Sequence, residues 1–210
     1  MGILLRRQID EHSLLGIWEI NETIEVLYNQ LTLNDEEQLL YDSFRTNQRR
    51  MHWLSYRVLT KNILKDNIKS ICYDENGKPF LNNSKKNISV THSGKFSAMI
   101  VGNKPVGIDI EQIQPKIMNI CDKFMSYKEL EQIDKSHNIE QLYIYWSAKE
   151  ALYKLYGKKN LMFKENIIIK GFPFKTQDII KGKIITSSFE KEYSLYYEYI
   201  EDYSLVYVVD

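Results

Sequence analysis

Apolar residues recur at helical spacing in two long stretches of the chain. The pattern predicts helices over residues 47–65 and 139–156, and Gly157 provides a C-terminal stop for the second. A third helix is predicted to begin at Ser126, because Ser126 and Glu129 have the spacing of a capping box. The apolar positions of the two long helices are Trp53, Leu54, Val58, Leu59, Ile63 and Leu64 in the first and Tyr143, Trp146, Ala151, Leu152 and Leu155 in the second.

Short runs of β-branched and aromatic residues, separated by turn residues, predict strands around these helices. The runs cover residues 70–73, 88–91, 96–101, 106–111, 167–170, 193–200 and 203–209. Residues 74–77 and 201–202 have the composition of hairpin turns. Helices that alternate with short strands in this way predict the fold class α+β.

The two long helices belong to an internal repeat. Placing Trp53 over Trp146, an offset of 93 positions, also places Arg57 on Glu150 and aligns a lysine in each helix. The repeat predicts a pseudo-twofold arrangement of two similar α/β halves, residues 1–104 and 105–210, that share one interface. Because an arginine stands at the position of Glu150, only the second half's helix would offer a carboxylate there.

Composition and charge narrow the class of protein. The chain has 210 residues, 43% of them hydrophobic, which is enough to bury a core without disulfides. Its 28 Lys+Arg balance 28 Asp+Glu, which excludes a globally basic nucleic-acid-binding protein. Two widely separated cysteines do not form a disulfide framework or a zinc motif. With no secretory signal or membrane span in the sequence, we expect a cytoplasmic protein without a membrane partner.

Two carboxylates stand close together in the predicted strand 106–111. Asp109 and Glu111 are two positions apart, so they project from the same face of that strand. They repel each other unless a cation lies between them, and Mg²⁺ prefers oxygen ligands. A strand with one solvent-exposed face is the alternative interpretation. Gly107 in the same strand indicates the close approach of a ligand or of another backbone.

The second predicted long helix carries an acid–base pair. Glu150 and Lys154 are four positions apart and therefore neighbours on one helical face. The carboxylate is able to ligate a metal or accept a proton, and the ammonium to stabilise charge on a phosphate. An ordinary exposed ion pair is the alternative.

Groups suited to an anion lie in the first half. His92 stands between Thr91 and Ser93 at the end of a predicted strand, and such a cluster presents several donors. Arg50 and Arg57 lie near one face of the first long helix, where they suit a phosphate clamp. A hydrogen-bonded turn histidine and solvated helix charges are the alternatives.

In their order along the chain, these motifs resemble those of the 4'-phosphopantetheinyl transferases. Gly107-x-Asp109-x-Glu111 and Trp146-x-x-Lys149-Glu150-Ala151-x-x-Lys154 match the family's paired signature. Residues 77–79 and 91–93 match two further motifs, and the resemblance covers about residues 49–175. The length and the repeat are similar to the pseudo-dimeric type, that of the surfactin-synthetase activating enzymes.

The resemblance implies an activity and a set of partners. Such enzymes transfer the 4'-phosphopantetheine group of coenzyme A to a serine of an apo acyl or peptidyl carrier protein and release 3',5'-ADP. Residues 1–104 would then bind the coenzyme A nucleotide, and residues 105–210 would carry the metal and the catalytic groups. A pseudo-dimer of this kind is expected to be a monomer, with no nucleic-acid partner.

The resemblance also implies roles for individual residues. Asp109, Glu111 and Glu150 would hold Mg²⁺, for which Mn²⁺ is a possible substitute. Asp109, Glu150 and Lys154 would be the catalytic residues, with Glu150 or a water on the metal as the base. The implied coenzyme A ligands are Arg50, Arg57, Lys78, Thr91, His92, Ser93, Lys149 and Lys154.

Two other classes of function fit the sequence less well. A metal-dependent nuclease of the restriction type would place a lysine two positions after the second carboxylate, where this chain has Ile113. A carrier- or nucleotide-binding module without activity would have a broken acidic set or would lack Lys154, and all four residues are present. The chain also contains neither of the glycine-rich GxxxxGK[ST] and GxGxxG motifs.

Overall fold

The structure, a computed structural model, describes residues 2–65 and 70–210. The first half of this part contains strands and helices in the order β1 Ile3–Gln8, β2 Leu14–Glu19, α1 Ile24–Tyr28, α2 Asp35–Ser43, α3 Asn47–Leu64, β3 Ile71–Tyr73, β4 Pro79–Leu81, β5 Asn87–Ser93 and β6 Phe96–Gly102. The second half continues with β7 Val106–Gln112, a 3₁₀ helix Pro115–Asn119, α4 Cys121–Phe124, α5 Tyr127–Leu130, α6 Asn138–Tyr156, α7 Phe163–Asn166, β8 Ile167–Ile169, β9 Gln177–Ile185, β10 Glu190–Ile200 and β11 Tyr203–Val209.

The strands form two antiparallel sheets, one from each part of the chain. The first has the order β1-β2-β6-β5-β4-β3, and the second has the order β7-β11-β10-β9-β8. Residues 74–77 join β3 to β4, and residues 201–202 join β10 to β11, as the turn residues predicted. Strand β7 lies at one end of the second sheet, so it is an edge strand whose outer amides need other partners.

Successive side chains of a strand point to opposite faces of its sheet, so each sheet packs on both faces and the molecule has four layers. In β6, Ala98 and Ile100 face a core between the two sheets, while Met99 and Val101 face α3. In β11, Leu205 faces the same central core, and its neighbours Val206 and Val208 pack with the apolar face of α6. Helix α3, the two sheets and α6 therefore stack in that order.

The predicted fold class α+β is confirmed, and both long helices form with nearly the predicted bounds. Helix α6 ends at Gly157, whose φ of +67° is the left-handed conformation that glycine favours. The capping box at Ser126 is present, although α5 ends after only one turn. No helix within residues 2–65 and 70–210 combines the length and the apolar character that crossing a bilayer requires.

Candidate functional site

A cleft of about 380 Å³ opens between the two halves of the molecule. The first half contributes strand β5, the turn before β4 and the start of α3, and the second half contributes β7 and α6. The lining residues with polar or charged side chains include Arg49, Tyr73, Lys78, Thr91, His92, Asp109, Glu111, Glu150, Tyr153, Lys154 and Lys158. Most of the residues that the sequence singled out therefore face one space.

The close contact of β7 with α6 brings the carboxylates of the strand to those of the helix. A Cβ atom on Gly107 would lie 1.9 Å from the carbonyl oxygen of Ala151, so only glycine allows the helix backbone to approach this strand. The close approach expected at Gly107 is thus that of another backbone. It places Glu150 and Lys154, which flank Ala151 on α6, beside the side chain of Asp109.

Lys154 and Asp109 form an ion pair at the centre of the cleft. The Lys154 Nζ donates to Asp109 Oδ1 at 2.7 Å and to the carbonyl oxygen of Ile108 at 3.1 Å. The same Oδ1 accepts a hydrogen bond from the Thr91 hydroxyl at 3.0 Å. By contrast, the other oxygen of Asp109, Oδ2, is buried and has no hydrogen-bond partner among the described residues.

The carboxyl groups on this wall of the cleft repel one another. Burial, and next to it the charge of Asp109, raises the pKa of Glu150 to about 7, although Lys154 opposes the shift. Burial and Asp109 also raise the pKa of Glu111 above its ordinary value. Like charges held close together and away from water favour a bound cation or a bound proton.

The donor set has the right chemistry for a divalent cation but is not arranged as a coordination site. Within residues 2–65 and 70–210, no three His, Cys, Asp or Glu side chains are grouped to hold a metal ion. One oxygen of Asp109 is paired with Lys154, and Glu111 Oε2 accepts from the Ser93 hydroxyl at 2.9 Å. The unpartnered Asp109 Oδ2 and the raised pKa of Glu150 nevertheless fit a cation. The magnesium site therefore stays a prediction.

His92 lies on the opposite wall of the cleft and stacks on the buried His52. The rings of His52 and His92 stack with their centroids 4.3 Å apart, and Arg49 donates to His92 Nε2 at 3.0 Å. Burial, with the nearby His52, Arg49 and Lys154, lowers the pKa of His92 to about 3. His92 is therefore a neutral acceptor, and the positive charge of this wall lies on Arg49.

Lys78 crosses from the first half to the end of α6. Its Nζ donates to the carbonyl oxygen of Leu155 at 2.9 Å, and its stem lies where a Cβ on Gly157 would be. Burial lowers the pKa of Lys78. The side chain lines the cleft as predicted, but one of its donors already serves the C-terminus of the helix.

Lys149 does not face the cleft, contrary to its prediction as a coenzyme A ligand. Its side chain has no exposed surface and forms an ion pair with Glu129 at 3.0 Å. It also donates to the carbonyl oxygens of Phe163 and Ile167. Every proton of the ammonium is thereby used inside the second half, so this lysine is unavailable to a phosphate in this structure.

The two arginines of the predicted clamp do not line the cleft. Arg57 is 4% exposed, donates to Glu37 at 3.2 Å and lies 3.6 Å from the centre of the Trp53 ring. Arg50 lies over the ring of Tyr41 at 5.4 Å and is absent from the cleft lining. Helix α2, which was not among the predicted helices, carries Glu37 and pairs it with Arg57 away from the cleft.

Arg49, Tyr73, Tyr153 and Lys158 line the cleft but were not among the predicted site residues. For Arg49 a signal was available. Arg49, His52 and Tyr56 stand three and four positions apart in α3, so they share a face that is distinct from the face of Arg57. The pairing of His52 with His92 shows that this face meets β5.

A comparison with protein families matches the part of the chain that contains β7 and α6. The family model of the 4'-phosphopantetheinyl transferase superfamily matches residues 105–208. A curated Bacillus subtilis protein named 4'-phosphopantetheinyl transferase is 34% identical over 88 residues, which is 40% of this chain and 39% of that protein.

Two further relatives carry similar names. The protein named 4'-phosphopantetheinyl transferase Sfp, of Bacillus subtilis strain 168, is 33% identical over 40% of this chain and 39% of its own length. The one named psf-1, of Bacillus pumilus, is 36% identical over 40% of this chain and 37% of its own length. The matches thus span about two fifths of the length of these curated relatives.

Proposed function

Since this chain belongs to the 4'-phosphopantetheinyl transferase superfamily, we propose that it transfers the 4'-phosphopantetheine group of coenzyme A to a serine of an apo acyl or peptidyl carrier protein. The products would be the holo carrier protein and 3',5'-ADP, and the reaction would depend on Mg²⁺. The proposal further assigns the coenzyme A nucleotide to residues 1–104 and the metal and catalytic groups to residues 105–210.

One observation carries this proposal. Three acidic side chains and a lysine converge on one cleft between the halves, and the buried Oδ2 of Asp109 has no hydrogen-bond partner among the described residues. A phosphoryl-transfer site needs both positive groups for the phosphates and oxygen ligands for a divalent cation. The cleft offers Arg49, Lys78 and Lys154 for the first need and the acidic set for the second.

We assign Asp109, Glu111 and Glu150 as the residues that would hold Mg²⁺ in the loaded enzyme. The ion would neutralise charge on the pyrophosphate of coenzyme A. Lys154, already 2.7 Å from Asp109, would stabilise the negative charge that develops on the transferred phosphoryl group. Glu150 is our candidate for accepting the proton of the incoming serine, because its carboxylate lines the cleft beside Lys154 and Asp109.

The nucleotide of coenzyme A would lie along the first half's wall of the cleft. Arg49 is our candidate for a phosphate of the nucleotide, in place of Arg50 and Arg57. His92 would orient the Arg49 guanidinium as a neutral acceptor, and Lys78 would complete this wall. Both arginine and lysine are suited to phosphate, the first through its paired donors and the second as a point charge.

The carrier protein would dock beside the second half's wall. The segment after β7 mixes apolar and basic residues, and Met118 within it is 44% exposed. Nearby, Lys116 and Lys123 are exposed and suit a partner with an acidic helix. We expect Lys116→Glu and Lys123→Glu to raise the KM for the carrier more than the KM for coenzyme A. An unchanged KM for the carrier would contradict this docking surface.

The activity is tested by mass spectrometry on a panel of apo carrier proteins. Incubation with the enzyme, coenzyme A and Mg²⁺ should add the mass of one phosphopantetheine group to at least one carrier. Asp109→Ala should abolish the addition while the variant stays folded. Glu131→Gln, at an exposed position on the same half, is the control and should retain activity. Full activity of Asp109→Ala, or no modified carrier with the unaltered enzyme, would contradict the proposal.

A further inference from the structure

Three hydroxyl side chains join the two halves of the molecule. Ser89, Thr91 and Ser93 alternate along β5, so their side chains lie on one face of that strand. Their oxygens accept hydrogen bonds from the backbone amides of β7, at 3.2 Å from Ile108, 3.3 Å from Ile110 and 3.1 Å from Gln112. Side chains of the first sheet thus satisfy the outer amides of an edge strand of the second sheet.

Two of these hydroxyls make a second hydrogen bond, to the acidic residues of β7. Thr91 donates to Asp109 Oδ1 at 3.0 Å, and Ser93 donates to Glu111 Oε2 at 2.9 Å. Ser89 likewise accepts a hydrogen bond from the amide of Ile108, but its hydroxyl has no carboxylate partner among the described residues. The three positions thus share the contact with a β7 amide, and they differ in whether a carboxylate accepts the hydroxyl proton.

A hydroxyl group has a single proton to donate. Thr91 and Ser93 each donate this proton to a carboxylate. The oxygen of each hydroxyl accepts a hydrogen bond from a backbone amide of β7. Thr91 is also 6% exposed, which leaves little of its side chain open to a ligand. These contacts disfavour the role of anion donor that the sequence suggested for both hydroxyls.

We propose that Thr91 and Ser93 are positioning residues, whose hydroxyl groups fix the carboxylates of Asp109 and Glu111 for a divalent cation across the junction between the halves. This inference rests on the proposed function of the same cleft. Each hydroxyl is anchored to the backbone of the strand that carries its carboxylate, so it holds the side chain in a defined orientation. Such outer partners tune metal affinity without touching the ion.

The test is a titration with Mn²⁺ in the presence of coenzyme A, in which electron paramagnetic resonance measures the free Mn²⁺. Thr91→Val and Ser93→Ala remove a hydroxyl with little change in volume, and each should raise the Kd for Mn²⁺ about tenfold or more. Thr91→Ser keeps the hydroxyl and should stay near the value of the unaltered protein. Ser89→Ala is the matched control, since it loses the same kind of amide contact but no carboxylate contact.

The possible outcomes distinguish a role of Thr91 and Ser93 in positioning the carboxylates from a role in the junction alone or in coenzyme A binding. The proposal is supported if Thr91→Val and Ser93→Ala weaken Mn²⁺ binding, while Ser89→Ala stays within about twofold and coenzyme A binding in EDTA is unchanged. It is overturned if Ser89→Ala weakens Mn²⁺ binding equally, because the effect would then come from the junction alone. It is also overturned if coenzyme A binding in EDTA falls with Mn²⁺ affinity intact, or if the unaltered protein binds no Mn²⁺.

The same titration separates this inference from the proposed transferase activity. If the unaltered protein binds Mn²⁺ with coenzyme A and the two variants weaken that binding, the positioning role stands even when no carrier protein is modified. If carriers are modified but the variants bind Mn²⁺ normally, the activity stands and the positioning role is wrong.

Discussion

The two long helices carry opposite charges at matching positions of the repeat, and the surroundings of those charges differ. Arg57 of α3 is buried within its own half, where it pairs with Glu37 and contacts the ring of Trp53. Glu150 of α6 lies in the cleft, next to the carboxylates of Asp109 and Glu111. The charge of Arg57 is thus neutralised within its own half, whereas Glu150 lies near two like charges and one opposite charge, that of Lys154.

The difference follows from the groups that lie beside each of the two matched positions. In the first half, helix α2 supplies the counter-charge, so Arg57 stabilises the fold and has no further group to bind. In the second half, Lys154 compensates only part of the negative charge, and the pKa of Glu150 stays raised. The uncompensated position is the one that suits an external cation.

The largest effect is expected when Arg57 is replaced by leucine. Glu37, which is 8% exposed, would keep a buried charge without its partner, and we expect the free energy of unfolding to fall by about 3–5 kcal/mol. Urea unfolding measures this loss. At a temperature where the variant is folded, its affinity for coenzyme A should be normal. A stable variant with weakened coenzyme A binding would contradict this expectation and would indicate that Arg57 binds the nucleotide.

Replacing Glu150 by glutamine should lower the activity and not the stability, which is the reverse of the effect expected at Arg57. The transfer rate should fall by about 100-fold or more, because the proton acceptor and an oxygen ligand are lost. The free energy of unfolding at pH 8, without divalent cations, should be unchanged or higher, since the variant lacks a charge that Asp109 and Glu111 repel. A large loss of stability with normal activity in the remaining folded protein would contradict the contrast with Arg57.

His92, on the first half's wall of the cleft, should make the free energy of unfolding depend on pH. The pKa of His92 is about 3 in the folded protein, below its ordinary value of 6.5, so the unfolded chain binds more protons between these values. The stability that His92 contributes is therefore present above pH 6.5 and is lost as the pH falls toward 3. The difference between the unaltered protein and His92→Gln, measured without metal, isolates this effect from the carboxylates. A difference independent of pH would show that His92 is not held neutral.

The smallest effect is expected at Lys61, which matches Lys154 in the repeat. Lys61 is exposed and donates to the carbonyl oxygen of Gln30, whereas Lys154 is paired with Asp109 in the cleft. We expect Lys61→Ala to change the free energy of unfolding by no more than about 0.5 kcal/mol and to leave the transfer rate unchanged. A marked loss of activity would mean that the first helix also contributes a cation to the reaction.

Local signals made the main elements predictable. Apolar periodicity gave α3 and α6, glycine gave the end of α6, and turn residues gave two hairpins. Strands β1, β2, β4 and β9 were missed. In β9 the exposed positions include Ile179, which obscures the alternation, and Gly182 interrupts it. Helix α2 was missed because it buries few apolar residues and relies on its capping box.

Two short motifs, one in β7 and one in α6, carry the four predicted site residues that the structure brings together. Asp109, Glu111, Glu150 and Lys154 all line the cleft. The failures at Arg57 and Lys149 have one physical cause, namely that each charge is neutralised by a residue distant in the sequence, Glu37 or Glu129. Sequence spacing indicates which side chains share a helical face, but it does not indicate which faces are buried against a counter-charge.

The most direct test of the central claim is anomalous X-ray scattering from a crystal grown with coenzyme A and Mn²⁺. The account predicts one strong Mn²⁺ peak between the carboxylates of Asp109, Glu111 and Glu150, next to the pyrophosphate of the coenzyme. Coenzyme A bound with no Mn²⁺ at these carboxylates, or a peak located only elsewhere on the protein, would contradict it.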